Sequence, residues 1–140
     1  MKILVAIDGS DCSQRALAYV LEHTAMFGNA PTITLINVHR PIPSERAKSW
    51  VGQEVVDKYY KDEAEEALAP ARAMLARHNK TAAEVIRLGE PGHEIANTGK
   101  EGFQMLVMGT HGRSGLGNLF MGSAATRALA ESEIPVLLVK

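Results

Sequence analysis

The chain has 140 residues, a formal net charge of −1 at pH 7 and a single cysteine, Cys12. This length fits one domain, residues 1–140, which can bury about two-thirds of its unfolded surface without metals or disulfides. The scattered basic residues lack the footprint of a nucleic-acid-binding domain. Cys12 cannot form an internal disulfide, and no apolar run is long enough for a signal peptide or a membrane span. We therefore expect a cytoplasmic protein that binds neither nucleic acid polymers nor membranes.

The beginning of the chain predicts a strand, a helix and a second strand. Residues 3–7, ILVAI, form a continuous apolar run that indicates a strand buried on both faces. Asp11 and Gln14 have the spacing of a capping box, which predicts the start of the first helix. Residues 32–38 are β-branched and apolar and predict the second strand.

The middle of the chain predicts a long connection and a long helix. Residues 39–53 are polar and show no periodicity, whereas residues 54–78 carry apolar positions at helical spacing. Pro70 should bend or interrupt this helix because it removes one backbone hydrogen bond. The charged run 61–66 is interpreted as the exposed face of the helix.

The third strand is predicted at residues 83–88. Pro91 then favours the first turn of a short helix that ends near Gly99. Glu90 precedes this proline and is a poor N-cap residue, so the start of the helix is weakly marked.

The end of the chain predicts a strand at residues 104–108, a glycine-rich loop, a helix at about residues 122–131 and a strand at residues 135–139. Neither strand alternates apolar and polar residues, as is typical when helices cover both faces of a parallel sheet. Strands that alternate with helices predict an α/β fold, a single doubly wound domain with right-handed crossovers.

The glycine-rich loop is the strongest functional signal in the sequence. Glycines allow bare backbone N–H groups to approach an anion, and the helix N-terminus adds about half a positive charge. A phosphate group is therefore the expected ligand, and the alternative is a loop that only turns the chain. The glycines are Gly109, Gly112, Gly115, Gly117 and Gly122.

Ligands of doubly wound sheets bind beyond the carboxyl ends of the strands. If strands one and four are neighbours, Asp8 faces the glycine-rich loop, where it could bind ribose hydroxyls or Mg²⁺. Alternatively, Asp8 caps the first helix, and Ser123 caps the last. Val38 and His39 end the second strand near the same crevice, and we interpret His39 as a rim residue.

Two familiar phosphate-binding motifs are absent. No segment matches G-x-x-x-x-G-K-[ST], and the G-x-G-x-x-G pattern fails because Phe120 follows Gly115 and Gly117 where the third glycine should be.

Gly109-Thr110-His111-Gly112, nine further residues and Gly122-Ser123 instead resemble the G-2x-G-9x-G-[S/T] signature of the universal stress protein family. The opening ILVAIDGSDCSQRAL and the closing IPVLLVK are also similar to that family, so the resemblance covers nearly the whole chain. Cys12 and Gly92 are less typical of the family, and we expect neither to touch the site.

The resemblance implies a five-stranded parallel sheet in the order 3-2-1-4-5 and ATP bound in the crevice. By position, Asp8 would contact the ribose or a metal such as Mg²⁺, and the backbone of Val38 would meet adenine. The ribose and phosphates would be held by Gly109, Gly112, Gly122, Ser123 and Ala124, with His111 and Arg113 nearby. The resemblance also implies a homodimer in which the C-terminal strand pairs with its counterpart.

Three functions remain open from the sequence. The first is an ATP-binding stress-response or signalling module whose nucleotide state alters its contacts with partners. The second is a slow ATPase or phosphotransferase that uses the same crevice, which is disfavoured because no positioned base, lysine or arginine pair is evident. The third is a module for another adenine ligand, such as AMP or cyclic AMP, or for none.

Overall fold

The computed structural model describes residues 1–28, 30–42, 49–50, 52–113 and 121–140. The strand boundaries lie within about one residue of those predicted. The strands are β1 (Lys2–Ala6), β2 (Thr32–His39), β3 (Ala83–Leu88), β4 (Met105–Gly109) and β5 (Val136–Val139). The helices are α1 (Asp11–Glu22), α2 (Gln53–Arg77), α3 (Pro91–Gly99) and α4 (Ser123–Glu131), and a short 3-10 helix spans Thr24–Phe27.

The five strands form one parallel sheet in the order β3-β2-β1-β4-β5. In the central strand, Ile3 lies opposite Ile33 of β2 on one side and Met105 of β4 on the other. This arrangement confirms the doubly wound α/β fold and the strand order that the sequence implied. It also places the carboxyl ends of β1 and β4 side by side, where the crevice of such a sheet opens.

Each face of the sheet is covered by its own apolar cluster. Ile3 and Val5 of β1 pack with residues of α1 and α2, such as Leu17 and Leu68. Leu4 faces the other side, in a cluster with residues of α3 and α4. Because β1 is buried on both faces, all its inner positions are apolar and no alternation shows in the sequence. Each fully buried aliphatic side chain contributes about 1.5–3 kcal/mol.

The start of α1 differs from the predicted capping box. Ser10 is the N-cap, and its Oγ accepts a hydrogen bond of 3.2 Å from the backbone N–H of Ser13. Asp11 is instead the first helical residue. The side-chain amide of Gln14 is buried and has no hydrogen-bond partner among the described residues. The nearby Asp8 carboxylate fixes Ser10 in the capping position, which the local pattern of Asp11 and Gln14 does not reveal.

Two helix features also differ from expectation. Of the bend or interruption expected at Pro70, the interruption does not occur: α2 is continuous through it, and the packing of the fully buried Leu68 and Ala71 offsets one lost hydrogen bond. Glu90 does cap α3, accepting a hydrogen bond of 2.8 Å from the backbone N–H of His93. The same carboxylate lies 3.5 Å from Arg127, which helps to hold it in place. No helix among the described residues could cross a membrane.

Candidate functional site

A crevice of about 540 Å³ opens at the carboxyl ends of β1, β2 and β4. This volume lies in the usual range of small-molecule sites. Every site residue that the sequence predicted lines it: Asp8, Val38, Gly109, His111, Gly112, Arg113, Gly122, Ser123 and Ala124. Within the predicted glycine-rich loop, Gly115 and Gly117 lie outside the described residues.

Asp8 organises the turn that follows β1. Its Oδ1 accepts hydrogen bonds from the backbone N–H and the hydroxyl of Ser10, at 2.9 and 2.5 Å. The hydroxyl of Ser10 also lies 3.5 Å from the carbonyl oxygen of His111, across the crevice. Asp8 therefore does not cap α1, and that alternative is wrong. It positions the residue that does, and it links this turn to the glycine-rich loop.

Gly112 brings the backbone of the glycine-rich loop directly against Asp8. A β-carbon at position 112 would lie 2.7 Å from Oδ2 of Asp8, closer than packed atoms approach. Only a residue without a side chain fits here while the carboxylate stays in place. The acid and the loop that were predicted to face each other are thus in contact.

The two less typical residues, Cys12 and Gly92, are not among the described residues that line the crevice, but each packs against a residue that does. A β-carbon at Gly109 would lie 2.7 Å from Cβ of Cys12, so Gly109 allows β4 to approach α1 closely. A β-carbon at Gly92 would lie 2.7 Å from the carbonyl oxygen of Ala124, so Gly92 allows α3 to pack against the first turn of α4.

The N-terminus of α4 faces the crevice, and no side chain among the described residues caps it. Gly122 is the N-cap residue and offers no side chain, and Ser123 is the first helical residue, so the alternative of Ser123 as the N-cap is wrong. The N–H of Gly122 donates to the carbonyl oxygen of Thr110 at 2.7 Å. The next N–H groups of a helix have no intrahelical partner, and the helix dipole adds positive charge at the same place. The arrangement suits an anion.

The sequence profile of the Universal stress protein family matches residues 1–140 of this chain. The chain belongs to this family. It is similar to the universal stress protein YxiE of Bacillus subtilis, with 33% identity over 99% of this chain and 98% of the relative.

Solved structures show the same fold. Universal stress protein UspA from Lactobacillus plantarum superimposes with a TM-score of 0.80 at 22% identity, covering all of this chain and 97% of the other. An Arabidopsis thaliana universal stress protein family member, solved with AMP bound, gives a TM-score of 0.68 at 19% identity over 100% and 91% of the two chains.

In this universal stress protein, one part of the crevice is apolar. Val38 and Ile36 of β2 belong to the apolar cluster on the α3 and α4 side, together with Ile95 and Met108. All four line the crevice. An apolar wall beside the uncapped helix end offers separate places for a flat ring and for an anionic group on one ligand.

The wall formed by α2 is polar, and sequence reasoning missed it. His39 is 7% exposed, so it is a buried wall residue and the rim interpretation is wrong. Its Nδ1 lies 3.5 Å from the Glu63 carboxylate, which turns inward from the run that was predicted to be exposed. A hydrogen bond to Glu63 and the charge of that carboxylate raise the pKa of the Tyr59 phenol. Two polar residues, Asn37 and His39, alternate at the end of β2, and this pattern was the sequence signal for a polar wall.

Charged groups are sparse near the glycine-rich loop. One guanidinium nitrogen of Arg113 would lie 3.2 Å from a β-carbon at Gly9, so this side chain extends over the turn after β1. No group of three or more His, Cys, Asp or Glu side chains that could hold a metal occurs among the described residues. Mg²⁺ often takes one carboxylate together with phosphate oxygens. Asp8 therefore fits a magnesium ion that shares its ligands with a nucleotide better than one held by side chains of the described residues alone.

The contact between Gly112 and Asp8 can be tested by adding one methyl group. We expect Gly112→Ala to lower the free energy of unfolding by about 1–3 kcal/mol, because its β-carbon overlaps the carboxylate and displaces it. Chemical denaturation measures the change. Gly122→Ala is the control for an added methyl group, since its β-carbon would lie 3.4 Å from the nearest heavy atom, and it should cost less, at most the roughly 1 kcal/mol by which alanine is the poorer N-cap. Equal stability of both variants would contradict the close contact.

Proposed function

We propose that this universal stress protein binds ATP together with Mg²⁺ in the crevice, and that its nucleotide state alters its contacts with partners in a stress response. The observation that carries the proposal is the uncapped N-terminus of α4, which faces Asp8 across a loop that Gly112 keeps free of side chains. A phosphate bound there would receive the backbone N–H groups that α4 leaves without intrahelical partners.

Each part of the nucleotide has a suitable neighbour in the crevice. Backbone N–H groups of Ser123 and Ala124 would hold the phosphates, with the Arg113 guanidinium and His111 close by. Asp8 would bind the ribose hydroxyls or the metal. The backbone of Val38 would meet adenine on the apolar wall, as the resemblance to the family implies. The backbone at Gly109, Gly112 and Gly122 would leave space for the ribose and phosphates.

Two kinds of observation support an adenine nucleotide. The signature residues Gly109, Gly112, Gly122 and Ser123 line a single crevice of suitable size. The fold accommodates AMP in the Arabidopsis thaliana protein. We choose ATP over AMP because the N-terminus of α4 can bind further phosphates.

The proposed role is binding rather than efficient turnover. Phosphoryl transfer depends on positive charge placed around the transferring group. No lysine is among the described residues that line the crevice, and Arg40 lies 3.7 Å from the Glu90 carboxylate. The described residues therefore add no support for ATP hydrolysis, which the sequence already disfavoured.

The proposal includes a homodimer in the cytoplasm that forms through β5. The carbonyl oxygens of Pro135 and Val139 accept hydrogen bonds of 2.9 Å from the backbone N–H groups of Leu106 in β4 and of Thr110 just after it. Because backbone polar groups alternate between the two sides of a strand, those of Val136 and Leu138 point away from β4. An edge strand with outward N–H and C=O groups can pair with the same strand of a second copy.

The nucleotide site can be tested by adding negative charge at the exposed first residue of α4. Calorimetric titration with ATP and Mg²⁺ should show saturable binding to the wild-type protein. We expect Ser123→Asp to weaken it at least about 10-fold, because a carboxylate repels the phosphates. The same carboxylate is favourable at a helix N-terminus, so the fold should not suffer.

Ala130→Asp provides the matched control, since it adds the same charge at an exposed position near the other end of α4. Binding to this variant should equal that of the wild type. Equal ATP affinity of the wild type, Ser123→Asp and Ala130→Asp would contradict phosphate binding at the N-terminus of α4. Absence of binding to the wild-type protein would overturn the function as a whole.

The dimer can be tested by removing one outward backbone donor. Leu138→Pro deletes an N–H that points away from β4, so β5 should keep its pairing with β4 and lose its pairing with a second copy. Light scattering after size exclusion should give a dimer for the wild type and a monomer for this variant. Leu138→Ala controls for the shortened side chain and should remain dimeric. A wild-type monomer would refute this interface.

A further inference from the structure

The first turn of α3 lies directly against the first turn of α4 at Gly92, which is buried. A β-carbon at position 92 would lie 2.7 Å from the carbonyl oxygen of Ala124, 2.7 Å from Cβ of Arg127 and 3.1 Å from the backbone nitrogen of Ala128. Two of these atoms belong to the backbone of α4, which cannot turn aside as the end of a flexible side chain can. Any side chain at position 92 would therefore push α3 and α4 apart.

The conformation of α3 does not itself require a glycine at position 92. Gly92 lies within the helix and is not among the described glycines with a positive φ. Alanine is a better helix former than glycine, because glycine loses more backbone freedom on folding. The helix alone would thus favour alanine, and the close approach of α4 is the feature that only glycine allows.

Ionic hydrogen bonds join the same two helices on both sides of Gly92. The Glu90 carboxylate caps α3 and lies 3.5 Å from Nε of Arg127. Nε of Arg127 donates a hydrogen bond of 2.7 Å to Glu131, whose other carboxylate oxygen lies 2.6 Å from Nδ1 of His93. These bonds with His93 and Arg127 hold the pKa of the Glu131 carboxyl below its usual range. We call these four side chains the α3–α4 network.

The position of α4 matters because its first turn is the proposed phosphate site. The first hydrogen bond within α4 runs from the N–H of Thr126 to the carbonyl oxygen of Gly122, at 2.9 Å. The N–H groups of Ser123 and Ala124 precede it, and both residues line the crevice. Ala124 thus offers its N–H to a ligand, while its carbonyl oxygen rests on Gly92. Because hydrogen bonds weaken steeply with misalignment, a displaced α4 would hold phosphates poorly.

We propose that Gly92 and the α3–α4 network position the N-terminus of α4 and thereby determine the preference of the site for ATP over AMP. This inference rests on the proposed function and names the residues that set its phosphate selectivity. Gly92 touches α4 and not the ligand, so it is a positioning residue. ATP presents more phosphates to α4 than AMP does, whereas both present the same adenine to Val38 of β2. ATP therefore loses more affinity when α4 is displaced.

The test compares the calorimetric affinities of the full chain for ATP and for AMP, each with Mg²⁺. The wild-type protein should prefer ATP. In Gly92→Ala this preference should fall at least about 5-fold, mainly through weaker ATP binding. Gly99→Ala is the matched control, because its β-carbon would lie 3.2 Å from the flexible end of the Ile134 side chain, at the far end of α3. The preference of this control should equal that of the wild type.

Amide chemical shifts of the nucleotide-free proteins supply a measurement that does not depend on affinity. Gly92→Ala should shift the N–H signals of residues 122–125 relative to the wild type, because α4 moves at its first turn. Gly99→Ala should leave these signals in place. Unchanged signals at residues 122–125 in Gly92→Ala would overturn the inference.

Glu131→Met provides a second variant if Gly92→Ala does not fold. Methionine keeps the length of the side chain and accepts a hydrogen bond from neither Arg127 nor His93. Loss of a negative charge alone would strengthen phosphate binding, whereas a loosened α4 weakens it. We expect the preference for ATP over AMP to fall at least about 2-fold. An unchanged or greater preference in this variant would contradict the role of the network.

The outcomes separate this inference from the function on which it rests. Equal wild-type affinities for ATP and AMP would overturn the inference and leave nucleotide binding intact. An unchanged preference in a folded Gly92→Ala that is less stable to denaturant would show that the contact is structural only. An equal loss of preference in Gly99→Ala would attribute the effect to general destabilisation and would also overturn the inference. Absence of ATP and AMP binding to the wild-type protein would contradict both proposals.

Discussion

The contact of the Asp8 carboxylate with Gly112 and Ser10 is the constraint on which the site depends. The strand order places β1 beside β4, so the turns that follow these strands must share one space. Gly112 fits against Oδ2 of Asp8 because it has no side chain, while Oδ1 holds Ser10 at the start of α1. One carboxylate thereby fixes a helix start and the position of the glycine-rich loop.

This contact also defines the electrostatics of the crevice. A carboxylate lies on one side, and the uncapped N-terminus of α4 lies on the other. A ligand that satisfies both must present hydroxyl groups or a cation to Asp8 and negative charge to Ser123. A nucleotide with a divalent cation has both features, and His39 of β2 and Glu63 of α2 add polar groups to the same crevice.

The sequence was sufficient for the fold and for the side of the crevice formed by Asp8 and the described glycines. The uninterrupted apolar composition of strands such as residues 3–7 indicates that they are buried on both faces. Glycines mark positions where two backbone segments approach closely. The N-cap at Glu90 was missed because it depends on a tertiary partner, Arg127. For α1, both Ser10 and Asp11 were available as caps, and the neighbouring Asp8 carboxylate favours Ser10. Glu63 was missed because helical periodicity places it in a charged run and cannot show that it faces His39.

The most direct test of the central claim is an amide chemical-shift map of the protein titrated with ATP and Mg²⁺. The account predicts that the largest saturable shifts fall on the backbone N–H groups of residues 109–113 and 122–125, with further shifts at Asp8 and Val38. Shifts confined to other surfaces, such as β3 and the C-terminal half of α2, would place the nucleotide outside the crevice and contradict the account.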